Sequence, residues 1–384
     1  MNREDFPMLK KDFVYFNNAA TTYKPQIMIN ALVDFYQNYS FNTNRGVDSS
    51  SYQVTQKYEN VRQQIANMLK TSSEKIVFTR GTTDGINMVA RMVENKLTLN
   101  DEILVNYEEH HAVYLTMKQL SIRANCQFKV VDYEKITETI NEKTKIVAIS
   151  QKTNVFGRKG DLEKLAALKK RYQFTLIVDG AQGIVSDNID VDALNIDFYA
   201  FSAHKMFGPF GLGVLYIKDA NHYQPVVFGG EMVDQVSENT FKKAPFKFEA
   251  GTMMIPAVIA FGETLKYLAS IDLQKRNDHV LKLRQFLVQA MKKDPEIIIY
   301  NENEIDSGII TFNIKNMHAH DMATIFDKNK IIVRAGHHCA EPLMIKLNVS
   351  ATIRVSLAFY NNLNECQKFL DVLNKRKEYY HDIF

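Results

Sequence analysis

Between about residue 76 and residue 218, short apolar runs alternate with longer stretches whose apolar residues recur at helical spacing. This alternation predicts an α/β fold with a mostly parallel sheet that carries helices on both faces. The candidate strands are 75–78, 102–105, 128–131, 145–149, 176–178, 198–201 and 214–217, and 161–170 is typical of the helices between them. The last strand need not be parallel, because a glycine-rich hairpin could join it to its predecessor.

A second and smaller pattern follows towards the C-terminus. Helix-like segments near 255–270 and 273–294 precede strands near 296–300, 308–314 and 331–334 and helices near 319–328 and 362–380. We therefore predict a large domain over 14–280 and a small C-terminal α/β domain over 281–384, joined by the N-terminal segment 1–13. The boundary is expected inside the helix at 273–294.

The composition narrows the range of functions. With 384 residues and 46% apolar content, the chain can bury a large core, most naturally in two domains. The net charge of +3 gives no reason to expect a nucleic-acid partner. Because no apolar run approaches the roughly 20 residues of a membrane span and no signal-peptide core is present, we expect no membrane association. Three widely spaced cysteines (Cys126, Cys339 and Cys366) argue against a disulfide framework and favour a cytoplasmic location.

A lysine and an aspartate follow two neighbouring strands of the predicted sheet. Asp179 ends the strand at 176–178, and Lys205 comes shortly after the strand at 198–201. Ligands of α/β sheets collect at such strand ends. A lysine there can hold pyridoxal phosphate as a Schiff base, and an aspartate can keep its pyridine nitrogen protonated. Each residue alone is more typical of a turn cap or a surface lysine, but Gln182, Ser202 and His204 nearby favour the cofactor site.

The segment 80–87 is a candidate phosphate cup. It follows the first predicted strand and opens a helix, and helix N-termini offer free N–H groups and a positive dipole end to phosphate. Thr82 and Thr83 would add hydroxyl donors. Ordinary threonine capping is the alternative interpretation. With Lys205 downstream, the phosphate interpretation is favoured.

Two adjacent histidines, His110 and His111, follow the strand at 102–105. Metal binding is one interpretation, but adjacent side chains diverge, and the segment has no carboxylate–histidine pair at helical spacing. The other interpretation is one imidazole stacked on the cofactor ring while titrating near neutral pH. We favour His110 in that role, and we expect no metal site.

Cys339 lies beside His337 and His338 in a loop bounded by glycine and proline. An unperturbed thiol has a pKa of about 8.5, and nearby cations lower it, so the pattern suggests a reactive thiolate. A buried structural cysteine is the alternative. A metal site would need more ligands than this loop supplies. Cys126 and Cys366 lack such neighbours, and we interpret both as structural.

Arg354 lies inside an apolar stretch, where an arginine should be paired. A substrate carboxylate held by two hydrogen bonds would be one partner. An internal salt bridge would be the other. The sequence leaves both open.

Together these motifs resemble the group II (Suf-type) cysteine desulfurases, also called selenocysteine lyases, of the class V aminotransferases within PLP fold type I. The resemblance runs nearly end to end, through segments 15–20, 44–46, 80–87, 109–112, 153–155, 178–182, 202–213, 248–252 and 334–344. The loop that contains Cys339 is the most specific segment, since group I relatives carry a longer, serine-rich loop. Asn44, Met253 and Phe228 depart from the family pattern, where histidine, proline and glycine are usual.

The resemblance implies a large domain with a mostly parallel seven-stranded sheet, a smaller C-terminal α/β domain, and pyridoxal 5'-phosphate as cofactor. In the family pattern the catalytic residues are Lys205, which binds the cofactor covalently, His110, which stacks on its ring and serves as acid or base, and Cys339, which receives sulfur. Further cofactor contacts are implied for Thr82, Thr83, Asn154, Asp179, Gln182, Ser202 and His204, and for Thr252 from the neighbouring subunit. Arg354, Arg334 and Asn154 would bind the substrate.

The implied reaction converts L-cysteine to L-alanine and leaves the sulfur as a persulfide on Cys339. A sulfur-acceptor protein of a Suf-type system would then take the sulfur to iron–sulfur cluster assembly. The cross-subunit role of Thr252 implies a homodimer. L-selenocysteine lyase and another class V reaction are the alternative activities, and a binding protein without chemistry is disfavoured by the presence of Lys205.

Overall fold

The structure is a computed structural model that describes residues 3–43 and 48–383. The strands are β1 (Val14–Tyr15), β2 (Ile76–Thr79), β3 (Glu102–Asn106), β4 (Gln127–Val131), β5 (Thr144–Ser150), β6 (Thr175–Asp179), β7 (Phe198–Ser202), β8 (Gly213–Ile217), β9 (Val233–Gln235), β10 (Thr240–Phe241), β11 (Ile297–Ile299), β12 (Ile309–Ile314), β13 (Ile331–Ile332), β14 (Arg334–Gly336) and β15 (Thr352–Ser356).

The helices alternate with these strands in the N-terminal two thirds and flank them in the remainder. They are α1 (Gln26–Asn38), α2 (Ser49–Leu69), α3 (Thr82–Val93), α4 (His111–Arg123), α5 (Ile136–Thr139), α6 (Leu162–Tyr172), α7 (Ile255–Ala269), α8 (Leu273–Met291), α9 (Ala319–Lys328), α10 (Glu341–Leu347), α11 (Leu363–Asn374) and α12 (Arg376–Ile383). Within the described part of the chain, none of the helices combines the length and apolar character that a bilayer crossing requires.

The large sheet has seven strands in the order β2-β8-β7-β6-β5-β3-β4. Neighbours from β7 through β4 run parallel, whereas β8 is antiparallel to both β7 and β2. This confirms the predicted mostly parallel sheet and its exceptional last strand. Its interior strands are buried except near the starts of β5 and β6, as expected of a sheet covered on both faces.

The small sheet is antiparallel, in the order β11-β12-β15-β14. The sequence interpretation was wrong here in three details. The strand β15 was missed, because its run is short and contains Arg354. The strand expected at 331–334 is split, since β13 pairs with β1 whereas β14 pairs with β15. The helix expected at 362–380 is two helices, because Lys375 ends α11 before α12 begins.

Two apolar cores accompany the two sheets. Phe6 and Tyr15 belong to the core of the large sheet, whereas Val14 and Phe16 pack with Leu283 in the core of the small one. The N-terminal segment therefore contacts both cores with alternating side chains. The domain limits at 14–280 and 281–384 stay a prediction.

A close approach of two glycines shapes the edge of the large sheet. A Cβ on Gly213 would lie 2.4 Å from the Cα atom of Gly81. Gly81 itself has a φ of +156°, outside the ordinary range of non-glycine residues. Without side chains at both positions, β8 pairs along β2 to its end, and the chain turns directly from β2 into α3.

A buried ion pair fixes the segment that leads to Thr252. The Arg62 guanidinium is 1% exposed and binds both carboxylate oxygens of Glu249, at 2.7 and 2.9 Å. It also donates to the carbonyl oxygen of Ile76 at 2.8 Å, while Glu249 accepts the Phe78 backbone N–H at 2.7 Å. The pair therefore ties residue 249 to strand β2.

Replacing Arg62 tests how much this pair stabilises the fold. Arg62→Met should lower the free energy of unfolding by about 3–5 kcal/mol, because it leaves the buried Glu249 carboxylate without its counterion. Urea denaturation measures the loss. The matched control is Lys292→Met, which breaks an exposed pair with Glu302 and should cost at most about 1 kcal/mol. Equal losses in the two variants would contradict this assignment.

Candidate active site

A cavity of about 210 Å³ opens at the carboxyl edge of the large sheet, facing the small sheet. It brings together most of the residues that the sequence singled out. They are Thr82, Thr83, His110, Asn154, Asp179, Ser202, His204, Lys205, Arg334 and Arg354. The parallel strands β6 and β7 and the start of α3 position the first half of this set, and β14 and β15 contribute the two arginines.

Asp179 and Lys205 each favour the charged form of the other, whereas burial disfavours both charges. Asp179 is buried at the end of β6, where its Oδ1 accepts the Ala181 N–H at 2.8 Å. Burial raises the pKa of this carboxyl, and the Lys205 ammonium partly opposes that rise. The pKa of Lys205 is lowered, first by burial and then by Arg354 and Arg334, against the pull of Asp179. The lowered pKa favours the neutral amine, which is the form that attacks an aldehyde.

The N-terminus of α3 forms a cup lined by hydroxyl groups. Gly81 is the N-cap residue, and no side chain at that position caps the helix. The Thr82 N–H donates to Ser202 Oγ at 2.8 Å, and the two hydroxyls lie 2.7 Å apart. Because glycine rather than threonine occupies the cap, ordinary threonine capping is wrong here. The helix end is arranged to bind an anion.

His110 caps helix α4 with its own ring. Its Nδ1 accepts the Ala112 N–H at 3.0 Å, so the proton of the neutral imidazole is on Nε2. Burial first, and then the nearby cations Lys205, Arg334 and Arg354, lower its pKa to about 3. The expectation that this imidazole titrates near neutral pH is therefore wrong for the polypeptide alone. Among the described residues, no group of three or more His, Cys, Asp or Glu side chains is placed to hold a metal ion.

The loop that carries Cys339 is bound tightly to the large domain. His338 and Cys339 both have left-handed backbones, with φ of 54° and 58°. The His111 N–H donates to the Cys339 carbonyl at 2.7 Å, and Asn154 Nδ2 donates to the His338 carbonyl at 2.7 Å. Two consecutive non-glycine residues in this region are unfavourable unless the surroundings impose them. The loop is thus a fixed turn.

The cation beside the thiol is an arginine and not a histidine. Arg334 Nη2 lies 3.4 Å from Cys339 Sγ. The His338 ring instead donates from Nε2 to the Thr352 carbonyl at 3.0 Å, and burial lowers its pKa to about 2. His338 is therefore not the cationic partner of Cys339, and Arg334 is the cation next to its sulfur.

Arg354 is a buried cation without an anion. It lies opposite Arg334 in the register of β15 and β14 and has no exposed surface. Nη1 donates to the Asn154 carbonyl at 2.7 Å, while the buried Nε has no partner. Within residues 3–43 and 48–383, no carboxylate forms an ion pair with it, so the internal salt bridge is wrong for that part of the chain. Burial and Arg334 lower its pKa to about 9.

Comparisons with known proteins agree with this geometry. Residues 14–369 match the family model of class-V aminotransferases. The chain belongs to the class-V aminotransferase family. It is 39% identical to a probable cysteine desulfurase of Halalkalibacterium halodurans, over 99% of this chain and 98% of that protein.

Two solved structures share the architecture of this class-V aminotransferase. The cysteine desulfurase CsdA of Escherichia coli, in an S-sulfonic acid form, has a TM-score of 0.91 at 33% identity, over 98% of this chain and 97% of that one. The apo cysteine desulfurase of Thermococcus onnurineus NA1 also has a TM-score of 0.91, at 31% identity, over 97% of this chain and 96% of that one. These matches confirm fold type I.

The residues of the cavity fit pyridoxal 5'-phosphate, the cofactor of this family. The His204 Nδ1 and Asn154 Oδ1 atoms are buried without partners, as atoms reserved for a ligand would be. The open helix end beside Thr82 suits a phosphate, and the buried Asp179 suits a protonated pyridine nitrogen. Lys205 lies between these groups on the cavity wall.

Two of the expected cofactor residues lie outside this cavity. Gln182 donates to the Ala19 carbonyl at 2.8 Å and lines an adjoining cavity of about 320 Å³, which also reaches Lys205. Thr252 is exposed and lines a separate cavity beside Glu249. A single chain therefore does not bring Thr252 to Lys205. Asn44 falls outside the described residues.

Sequence reasoning missed several residues that hydrogen-bond to the side chains and strands around the cavity. The Asn17 Oδ1 atom lies 3.5 Å from Arg354 Nη2, and the Ala19 N–H donates to Ser356 Oγ at 2.9 Å. Glu109 is fully buried and accepts the N–H and hydroxyl of Ser150, at 3.0 and 2.6 Å. Burial raises the pKa of Glu109 to about 8. The resemblance already flagged 15–20 and 109–112 but assigned these residues no role.

The depressed pKa of His338 predicts a pH dependence of stability. Its imidazole is neutral when folded, whereas in the unfolded chain it binds a proton near its ordinary pKa of about 6.5. The stability it contributes is therefore complete above that pH and is lost as the pH falls towards the folded pKa of about 2.

Replacement by glutamine removes this contribution. Between about pH 6.5 and about pH 5.5, wild-type protein should lose about 1 kcal/mol more unfolding free energy than His338→Gln. Urea denaturation at both pH values measures the difference. The control is His222→Gln, a residue with no part in this site, which should keep the wild-type slope. Parallel slopes for wild type and His338→Gln would show that His338 is charged in the folded protein.

Proposed function

We propose that the protein is a pyridoxal phosphate-dependent cysteine desulfurase, which converts L-cysteine to L-alanine and retains the sulfur on Cys339. The observation that supports this most directly is the position of the Cys339 thiol, 3.4 Å from Arg334, which lies opposite Arg354 in the register of β14 and β15. Both arginines line the same cavity as Lys205. The 39% identical relative is itself named a probable cysteine desulfurase.

Arg354 is the candidate carboxylate-binding group. Its buried guanidinium has Nε unpaired, and the neighbouring Asn154 side chain has an unpaired Oδ1 and donates from Nδ2. A substrate carboxylate would supply the missing negative charge and accept hydrogen bonds from the planar guanidinium. Arg334 would lie between this carboxylate and the Cys339 thiol, which orients the sulfur end of the substrate towards the loop.

Lys205 and Cys339 would carry out the chemical steps of the proposed reaction. When bound, pyridoxal phosphate supplies an electron-accepting ring that acidifies the substrate Cα–H. Lys205, as a neutral amine, removes that proton. Cys339 thiolate attacks the substrate sulfur, so that an S–S bond forms on Cys339 as the substrate C–S bond breaks. The carbon that loses sulfur gains a proton, and alanine leaves.

The persulfide must then be passed on. The carbonyls of His338 and Cys339 accept hydrogen bonds from the Asn154 side chain and the His111 N–H, so the sulfur of Cys339 has little freedom to travel. A sulfur-acceptor protein would have to approach the loop, as in a group II, Suf-type system that feeds iron–sulfur cluster assembly. We place the enzyme in the cytoplasm. Transfer of radiolabelled sulfur from the loaded enzyme to purified acceptor candidates tests the acceptor step.

We further propose that the enzyme is an obligate homodimer. Thr252 is exposed and remote from Lys205 within one chain. A second copy would bring Thr252 to the partner's phosphate cup, which accounts for its place in the family pattern. An active monomer on gel filtration would contradict this arrangement.

Replacing Cys339 tests the desulfurase activity. Cys339→Ala should abolish alanine and sulfide formation from L-cysteine, because the sulfur acceptor is gone, while the cofactor absorption stays. Both products are measured together in the presence of a thiol reductant. Cys126→Ala is the matched control, since Cys126 is half-buried beside α4, away from the cavity, and should keep full turnover.

The same assay separates the alternative reactions. Undiminished cysteine turnover in Cys339→Ala would contradict the role of the thiol. Alanine from L-selenocysteine alone would favour the lyase, since the weaker C–Se bond can break without the thiol. Exchange between an amino donor and a keto acid would instead indicate an aminotransferase.

A conservative change at Arg354 tests carboxylate binding. Arg354→Lys keeps the charge but loses the planar pair of donors. The KM for L-cysteine should rise about tenfold to a hundredfold, the equivalent of one charge-assisted hydrogen bond. Steady-state kinetics gives KM, and cofactor absorption shows whether the site is intact. An unchanged KM with full cofactor loading would place the carboxylate elsewhere.

A further inference from the structure

Several donors converge on the peptide bond that precedes Lys205. The carbonyl oxygen of His204 accepts Lys24 Nζ at 2.7 Å and the Thr22 backbone N–H at 3.2 Å. The hydroxyls of Thr21 and Thr22 lie 3.1 and 3.2 Å from the same oxygen. A carbonyl oxygen has two lone pairs, so this oxygen is surrounded by more donors than it can satisfy at once. Residues 21–24 therefore hold the main chain in place at the peptide bond that precedes Lys205.

Lys24 is the charged member of this group. Its Nζ also donates to the Thr22 carbonyl at 2.7 Å, and all of its hydrogen-bond acceptors are neutral oxygens. Over residues 3–43 and 48–383, no carboxylate lies within ion-pair distance of Nζ. Burial alone lowers its pKa to about 7. Burying a lysine without a counterion lowers the stability of the folded protein. If position 24 had only a structural role, an apolar side chain would serve as well.

A stack of side chains links Lys24 to the phosphate cup. The Lys24 Nζ lies 4.9 Å from the ring centroid of Phe210. That ring stacks on the His204 imidazole, with centroids 5.4 Å apart and planes at 18°. His204 lines the cavity with its buried Nδ1 unpaired. The ammonium group thus acts on His204 both at its carbonyl and, through Phe210, at its ring.

We propose that Lys24 is a positioning residue for Lys205: its ammonium group fixes the His204–Lys205 peptide, so that the Lys205 amine meets the cofactor aldehyde and later the substrate proton. The inference rests on the proposed function only for the second of these steps. Attachment of the cofactor to Lys205 precedes any reaction with substrate and can be measured without substrate.

The test uses Lys24→Met, with Lys169→Met as the matched control. Lys169 is a buried lysine on helix α6, away from the cavity, whose Nζ likewise donates to a backbone carbonyl, that of Asn195 at 2.6 Å. Unlike Lys24 it also pairs with a carboxylate, that of Asp197, so its loss should cost at least as much stability. Apoprotein is mixed with pyridoxal 5'-phosphate, and the absorption of the lysine-bound cofactor is followed in time. Thermal unfolding of each variant reports general loss of stability.

Lys24→Met should slow cofactor attachment and weaken its equilibrium binding about tenfold, the effect of losing a charge-assisted hydrogen bond. Lys169→Met should lower stability and leave attachment unchanged. Lys24→Gln, which keeps N–H donors, should lie between wild type and Lys24→Met, and it serves if Lys24→Met does not fold. In turnover, kcat should fall more than KM changes, because Arg354 still binds the substrate.

Two results would overturn the proposal. One is attachment at the wild-type rate in Lys24→Met or, if that variant does not fold, in Lys24→Gln. The other is equal slowing in Lys24→Met and Lys169→Met, which would make the effect one of stability alone. Neither depends on desulfurase activity, so failure of the proposed function would be seen separately, as normal attachment in wild type without alanine formation.

Discussion

One constraint organises the site: the Arg354 guanidinium is buried, and no carboxylate in the described part of the chain forms an ion pair with it. Arg354 lies in β15, an interior strand of the small sheet, where neighbours on both sides prevent it from reaching water. Removing such a charge from water is costly, and two neutral oxygens, from Asn154 and Asn17, compensate only part of the cost. The rest of the cost is not compensated by the described residues. This is the physical basis for the proposed role of Arg354 in binding a substrate carboxylate.

This charge influences the other groups in the cavity. Arg354 contributes to the lowered pKa values of Lys205, His110 and His338. A positive field favours neutral bases, so it suits a neutral amine at Lys205. The histidines are therefore hydrogen-bonding and stacking groups in the free polypeptide, and the arginines supply the positive charge.

The sequence predicted the large sheet well, because strand order and burial there follow from a regular alternation along the chain. It also identified the residues that line the cavity, since their strand ends are adjacent by topology. The prediction from sequence failed where contacts between residues distant along the chain determine the outcome. The strand β15 was missed because a charged residue interrupts its apolar pattern. The protonation of His110 could not be predicted, since its pKa depends on cations from β14, β15 and the Lys205 turn.

The cation next to Cys339 could not be predicted for the same reason. Arg334 is five residues away in sequence, and only the left-handed backbone of His338 and Cys339 folds the loop back onto it. The adjacent His338, which looks like a partner in the sequence, binds Thr352 instead. Local sequence therefore did not identify Arg334 as the cation next to the thiol.

The N-terminal segment couples the two halves of the site. At β1 it pairs with β13 of the C-terminal part, and the Asn18 side chain then donates to the Ser356 carbonyl at 2.8 Å. A few residues later, Thr22 and Lys24 bind the His204 carbonyl. One short stretch of chain thus contacts the strand of Arg354 and the turn of Lys205. Because these contacts hold the strand of Arg354 and the turn of Lys205 to one short segment, the two side chains cannot move apart without breaking its hydrogen bonds. This fixed separation is what the proposed binding of substrate between Arg354 and Lys205 would require.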